Sequence, residues 1–156
     1  MISKPKAIIA AEAPAKAKAS NYPEPFAARV AGRVKRPLGD MFGINGFGVN
    51  HTTLPPGGES ALLHRHMKGE EMVYVLTGRP TLRTDTEEIQ LEPGMACGFA
   101  AADYPHHIVN RTDEDVVILE IGDRNPADSG EYPEDDLKVE KVDGQWVFAH
   151  KDGTPY

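Results

Sequence analysis

Residues 58–78 read Gly58-Glu59-Ser60-Ala61-Leu62-Leu63-His64-Arg65-His66-Met67-Lys68-Gly69-Glu70-Glu71-Met72-Val73-Tyr74-Val75-Leu76-Thr77-Gly78. Ser60 to His66 has strand character, and side chains two apart on a strand share a face, so the two imidazoles stand side by side. Imidazoles that converge in this way can bind one divalent ion through their ring nitrogens. Met67-Lys68-Gly69 reads as a turn. Glu71 to Thr77 is apolar at both parities and β-branched, which predicts a covered strand. Glu71 shares its parity with Val73 and Val75 and is expected to face inward from the neighbouring antiparallel strand, which leaves Glu70 as a solvated turn acid.

Outward from this stretch the chain continues as short β-type runs. Before it, Phe47, Val49, His51 and Thr53 alternate with Gly48, Asn50 and Thr52, and Pro55-Pro56-Gly57-Gly58 breaks the run. After it come Thr81 to Thr84, Glu87 to Leu91, Met95 to Phe99, His106 to Asn110 and Val116 to Ile121. Glu92-Pro93-Gly94 is a turn in which glycine supplies positive φ, and Asn110 to Asp115 is read as a hairpin loop joining the last two runs. A final strand, Gln145 to His150, follows the turn signal Asp143-Gly144. Short strands at short spacing argue for a sandwich or barrel. Residues 1–25, rich in Ala, Lys and Pro, lack a period and read as an arm pinned either on a partner subunit or on the chain's own body. Residues 26–36 form a short basic helix or strand.

Composition narrows the function classes. The chain has 156 residues, enough for one domain with a core. Fifteen Gly and thirteen Pro favour many turns over a helical bundle. The formal charge of −7 lacks the basic footprint of a nucleic-acid binder. Its distribution is uneven: residues 1–40 hold eight Lys/Arg against three acids, and residues 41–156 hold nine against twenty-one. A single cysteine, Cys97, excludes an internal disulfide and suits a reducing compartment. No apolar run approaches the roughly 20 residues that span a bilayer, so no membrane partner is expected and the cytoplasm is the expected location. Walker and dinucleotide fingerprints are missing.

The spacing Gly58-x5-His64-x-His66-x4-Glu71-x6-Gly78 resembles the first motif of the cupin superfamily. Gly94 through Asn110, closing on His106-x3-Asn110, approximates the second, with Ala100-Ala101-Ala102 and Pro105 where the pattern differs. The resemblance implies an all-β, cupin-type jelly-roll β-barrel over residues 40–122, with an N-terminal arm (1–39) and a C-terminal extension (123–156) packing on the barrel. It also implies a site inside the barrel with His64, His66, Glu71 and a third histidine as ligands of one divalent transition metal (Fe, Mn, Ni, Co or Zn). By strand parity only one of His106 and His107 faces that site; the spacing to Asn110 favours His106, and His107 becomes an outer or interface residue. Asn110 reads as a hairpin residue, and Met72 and Tyr74 fill the layer behind their strand.

Three imidazoles and one carboxylate leave open coordination positions, which separates a catalytic or ligand-binding metal from a structural one. The expectation is a metal-dependent enzyme acting on a small oxygen-bearing metabolite, of dioxygenase, isomerase or lyase type, with sugar-phosphate isomerase among the isomerases. The alternative is a non-catalytic protein that uses the metal to grip a sugar or carboxylate. His51 and Tyr104 are the candidate catalytic groups, and Arg83 the candidate cation for a phosphate-bearing substrate. A homodimer is expected from the arm and from the pairing of barrels in related cupins.

Overall fold

Among residues 4–156, which this computed structural model describes, twelve strands carry most of the chain. They are β1 Val34–Pro37, β2 Phe47–Leu54, β3 Arg65–His66, β4 Glu71–Thr77, β5 Thr81–Thr84, β6 Glu88–Gln90, β7 Ala96–Phe99, β8 His106–Val109, β9 Val116–Asp123, β10 Ser129–Tyr132, β11 Leu137–Val142 and β12 Gln145–Ala149. Two one-turn helices, α1 Phe26–Arg29 and α2 Leu38–Met41, flank β1. All pairings are antiparallel and make three sheets, ordered β1-β2-β9-β4-β7, β6-β5-β8 and β12-β11-β10-β3.

Alternation fills the interior. Val73 and Val75 of β4, Val116 and Ile118 of β9 and Leu54 of β2 point inward against Leu82, Leu91, Phe99 and Ile108, forming the main core. Leu62, Tyr132, Leu137 and Val139 form a second core, on which Tyr22, Phe26, Trp146 and Phe148 pack. Burying a side chain of this size contributes about 1.5–3 kcal/mol. The expected Asp143-Gly144 turn joins β11 to β12 with φ of 50° and 77°, the doubly positive geometry that matches the twist of a hairpin.

Several local expectations change. Of residues 60–66 only Arg65 and His66 pair as a strand, with β10; Glu59 and His64 make single bridges to Val109 and His106 of the β8 run. The strand β4 is therefore not the neighbour of this segment: it sits between β7 and β9 in the five-stranded sheet, and Glu71 faces the histidines across the interior. The runs β8 and β9 are not a hairpin, since β8 pairs with β5 and β9 with β2 and β4. Asn110 organises the loop between the two sheets. Its amide donates to the Leu54 and Glu114 carbonyls at 2.9 and 2.7 Å, and its oxygen accepts from Thr112. Met72 and Tyr74 have the outward parity expected of them but are exposed, with no layer of the described residues covering them.

The described part of the arm packs on its own body. The Lys16 amide donates to the Lys35 carbonyl at 2.8 Å. The Arg33 guanidinium donates to the Ala19 carbonyl at 3.2 and 3.1 Å, and also to the Ser60 carbonyl. No helix among the described residues is long and apolar enough to cross a membrane.

Candidate metal centre

One oxygen marks the centre. Glu71 Oε2 lies 3.1 Å from His106 Nε2, 3.6 Å from His66 Nε2 and 3.8 Å from His64 Nε2. Donor atoms of His64, His66 and Glu71 all fall within 4.8 Å of one another. Donors about 2.1 Å from a common ion stand about 3.0 Å apart when adjacent and about 4.2 Å when opposed, so the spacing fits a single first-row ion. His106 adjoins the group through Glu71.

The tautomers fit as well. His64 Nδ1 is 2.8 Å from the Leu62 carbonyl and donates to it. His66 Nδ1 is 2.6 Å from Asp128 Oδ2 and donates to that carboxylate. A proton held on Nδ1 leaves the Nε2 lone pair free and aimed at the centre, the outer-sphere arrangement that orients histidine ligands. His106 lies flat against Phe99, ring centroids 3.3 Å apart at 1°. Burial pushes its pKa below the ordinary histidine value, against the pull of Glu71, which favours the neutral form a ligand needs. Burial would raise the Glu71 carboxyl, but the hydrogen bond it shares with His106 and the neighbouring His64 hold it well below the usual range. Tyr132 stacks on His64 at 6.0 Å and 26°, and Tyr22 meets Tyr132 edge-on at 5.7 Å.

Asp128 is buried beside His66. It is 4% exposed, and its Oδ1 accepts from the amides of Lys68 (3.0 Å) and Gly69 (2.8 Å) while Oδ2 takes His66. It thereby ties the segment after β9 to the turn between β3 and β4.

The donors open on a cavity of about 210 Å³, walled among others by Tyr22, Arg33, Lys35, Glu120, Tyr132 and Trp146. A second cavity of about 230 Å³ shares Lys35, His66, Glu71, Glu120 and Trp146 with it. The cations that line the first cavity are Arg33 and Lys35, from the segment read as an arm. Arg83 points elsewhere: it pairs with Glu134, and its Nη1 lies 3.4 Å from His107 Nε2.

The structure brings His64, His66, Glu71 and His106 together and leaves the two candidate catalytic groups outside. His51 has the opposite parity to Thr52, which contacts Glu120 at the cavity wall; it lines neither cavity, and its Nδ1 has no partner among the described residues. Tyr104 is exposed, edge-on to Phe99, with its hydroxyl 3.5 Å from the Gly98 carbonyl, and lines neither cavity. His107 is not an outer residue: it is 2% exposed, with Nδ1 donating to the Ala61 carbonyl at 2.9 Å, because Arg83, Glu59 and the Glu134 loop cover it. Glu120, Asp128, Arg33 and Lys35 escaped the sequence reading. Glu120 alone carries a visible signal, as the acid inside the apolar run Val116–Ile121 at the parity of Val116 and Ile118.

Comparison with known proteins agrees with this geometry. A cupin domain model matches residues 50–122. A crystal structure from Silicibacter pomeroyi, described as a sugar phosphate isomerase from a cupin superfamily, is 37% identical over 88% of each chain with a TM-score of 0.83. One from Acidithiobacillus ferrooxidans, provisionally named a sugar phosphate isomerase, is 32% identical over 80% of each chain with a TM-score of 0.73. The polyketide cyclase RemF from Streptomyces resistomycificus, 20% identical over 76% of this chain and 78% of its own with a TM-score of 0.62, shares the fold. No curated protein matches the chain. With an antiparallel barrel, histidine and glutamate donors converging inside it, and this degree of identity over nearly the whole length, the chain belongs to the cupin superfamily.

Proposed function

We propose that this chain is a metal-dependent isomerase of sugar phosphates. The observation that carries the reading is one cavity holding both the His64–His66–Glu71 donor cluster and the cationic side chains of Arg33 and Lys35. Two structures more than 30% identical to this chain bear names of that activity, which supports it.

His64, His66, Glu71 and His106 would hold the ion. When bound, a divalent ion supplies Lewis-acid polarisation of a substrate carbonyl. The remaining work falls to the chain. Phe99 and Tyr132 lock the His106 and His64 rings by stacking. Arg33 places positive charge at the wall a phosphorylated substrate would meet, and Lys35, paired with Glu120, holds that carboxylate beside it. Because all three Arg33 donor nitrogens are engaged with the Ala19 and Ser60 carbonyls, that side chain contributes field and holds the wall in place. Trp146 and Tyr132 offer aromatic faces to the C–H side of a sugar and keep water from the centre.

The test is NMR of a panel of aldose phosphates in D2O with protein loaded in turn with Mn, Fe, Co, Ni or Zn. Conversion to the ketose phosphate is expected, and its loss in His64→Ala and Glu71→Gln. Failure of every sugar phosphate, or oxygen uptake by the Fe form in their place, refutes the reading. Saturable binding without turnover would return the chain to a metal-assisted binding protein.

A further inference from the structure

Strand β9 begins Val116-Val117-Ile118-Leu119-Glu120-Ile121, and the acid falls on the inward parity. Glu120 is 5% exposed. A carboxylate in such a place is costly unless its oxygens are satisfied, and they are: Lys35 Nζ stands 3.1 Å from Oε1 and 2.9 Å from Oε2, and Thr52 Oγ1 donates to Oε2. Register fixes the position relative to the metal centre. Val73 pairs with Glu120 and Glu71 with Gly122, so Glu120 and Glu71 are diagonal neighbours on one inner face, about 7–8 Å apart. That spacing is between backbones; both side chains line the same cavities.

Asp40, Glu70, Asp123 and Asp128 line the second cavity but not the first. Glu71 faces three histidines, Asp128 serves His66 and two amides, and Asp40 pairs with Arg124. Glu120 is the carboxylate, besides Glu71, that lines both cavities.

We propose that Glu120 is the catalytic base that carries the carbon-bound proton, with Lys35 and Thr52 as the residues that hold its carboxylate at the cavity wall. The assignment rests on the isomerase reading above. In the aldose-to-ketose direction the Glu120 carboxylate takes the proton from carbon 2. The C–H electron pair becomes the carbon 1–carbon 2 double bond, and the carbonyl oxygen on carbon 1 accepts a proton. The hydroxyl on carbon 2 then gives up its proton as that oxygen becomes the new carbonyl, and Glu120 returns its proton to carbon 1. One proton moves between carbons and one between oxygens, so no co-reactant is consumed.

Glu120→Gln and Glu120→Asp test it, each scored by deuterium wash-in at carbon 2, kcat, KM, metal content and melting temperature. Glu120→Gln is expected to lower kcat and wash-in together by about 10²–10⁴-fold, with KM within threefold and metal content unchanged. Glu120→Asp keeps the carboxylate one methylene back and is expected to fall between Gln and the parent, which serves if the Gln variant does not fold. Wild-type turnover with kcat of Glu120→Gln within tenfold overturns the assignment alone. Absence of any wild-type turnover overturns the isomerase reading and takes the assignment with it.

Discussion

Replacing Asp128 by asparagine exchanges a single acceptor atom for a donor, at a place where the two carboxylate oxygens have different tasks. Oδ1 accepts from the Lys68 and Gly69 amides at 3.0 and 2.8 Å, and Oδ2 accepts from His66 Nδ1 at 2.6 Å. An asparagine that keeps its oxygen on the two amides turns its NH2 toward His66. Nδ1 must then accept, and the imidazole proton moves to Nε2, the atom 3.6 Å from Glu71 Oε2. That tautomer has no lone pair for an ion. The fold loses the difference between a charge-assisted and a neutral hydrogen bond, about 1 kcal/mol, or about 2–4 °C in melting temperature for a domain of this size. Disturbing an outer-sphere partner costs 10–100-fold in metal affinity, about 1.4–2.7 kcal/mol, and a ligand locked in the wrong tautomer belongs at the upper end.

Asp128→Ala provides the control. It leaves the buried Gly69 amide without an acceptor, at about 1–3 kcal/mol, and forfeits the bond to His66 as well, yet His66 is free to choose the binding tautomer. The two variants therefore rank oppositely. Alanine is expected to be the less stable and asparagine the weaker metal binder, by cobalt titration followed in the visible and by thermal unfolding of the metal-free proteins. Metal affinity of Asp128→Asn within threefold of wild type, or one common ranking in both assays, would refute the tautomer argument.

Three further outcomes are expected. Because histidine must be neutral to coordinate, bound metal should fall steeply below about pH 6; full occupancy at pH 4.5 by elemental analysis would count against a site with three imidazoles. In Asp128 and Glu59 burial works to raise the carboxyl pKa but is outweighed by hydrogen bonds, from Lys68 and His66 in one and from His107 in the other, so both lie below their ordinary values, as does Glu71. On acidification the unfolded chain therefore takes up protons before the folded one, and stability is lost as pH falls below about 4. Urea midpoints from pH 6 to pH 3 should decline, and a rise would contradict the assignment. Cys97, pushed up to about 11 by burial and the Glu71 charge, should react with iodoacetamide at pH 8 about a hundredfold more slowly in the folded protein than in urea; rates within threefold would refute its burial.

What was legible in the sequence was local. His64, His66 and Glu71 stand within eight residues, and two-residue parity on one side of a turn suffices to aim them. Parity and spacing also separated His106 from His107, and Asp143-Gly144 declared its turn. Partnership between distant segments left no such trace. The place of β4 in the sheet opposite the histidine segment depends on which strand wins a long-range pairing, and nothing in Glu71–Thr77 encodes it. Asp128 is one acid in an acidic stretch, and only the fold lifts it from the others by burying it against His66. Arg33 and Lys35 sit in a stretch without periodicity, where charge suggested a solvated arm. His51 and Tyr104 have suitable chemistry near the motif, but strand direction sends one to the back of its sheet while the other stays on an exposed loop.

The shared walls of the two cavities bear on how far the centre is a transferable cassette. Residues 50–122, the span recognised as a cupin domain, contain all four donor side chains. They do not contain Asp128, which fixes His66, nor Arg33, Lys35, Tyr22, Tyr132 or Trp146, which line the cavity. Grafted onto another barrel, that span would carry its donors and leave its specificity behind. Diversification of such a chain has an open route: the two flanking segments can be rewritten, reshaping the cavity wall, while the span that carries the candidate donors is left untouched.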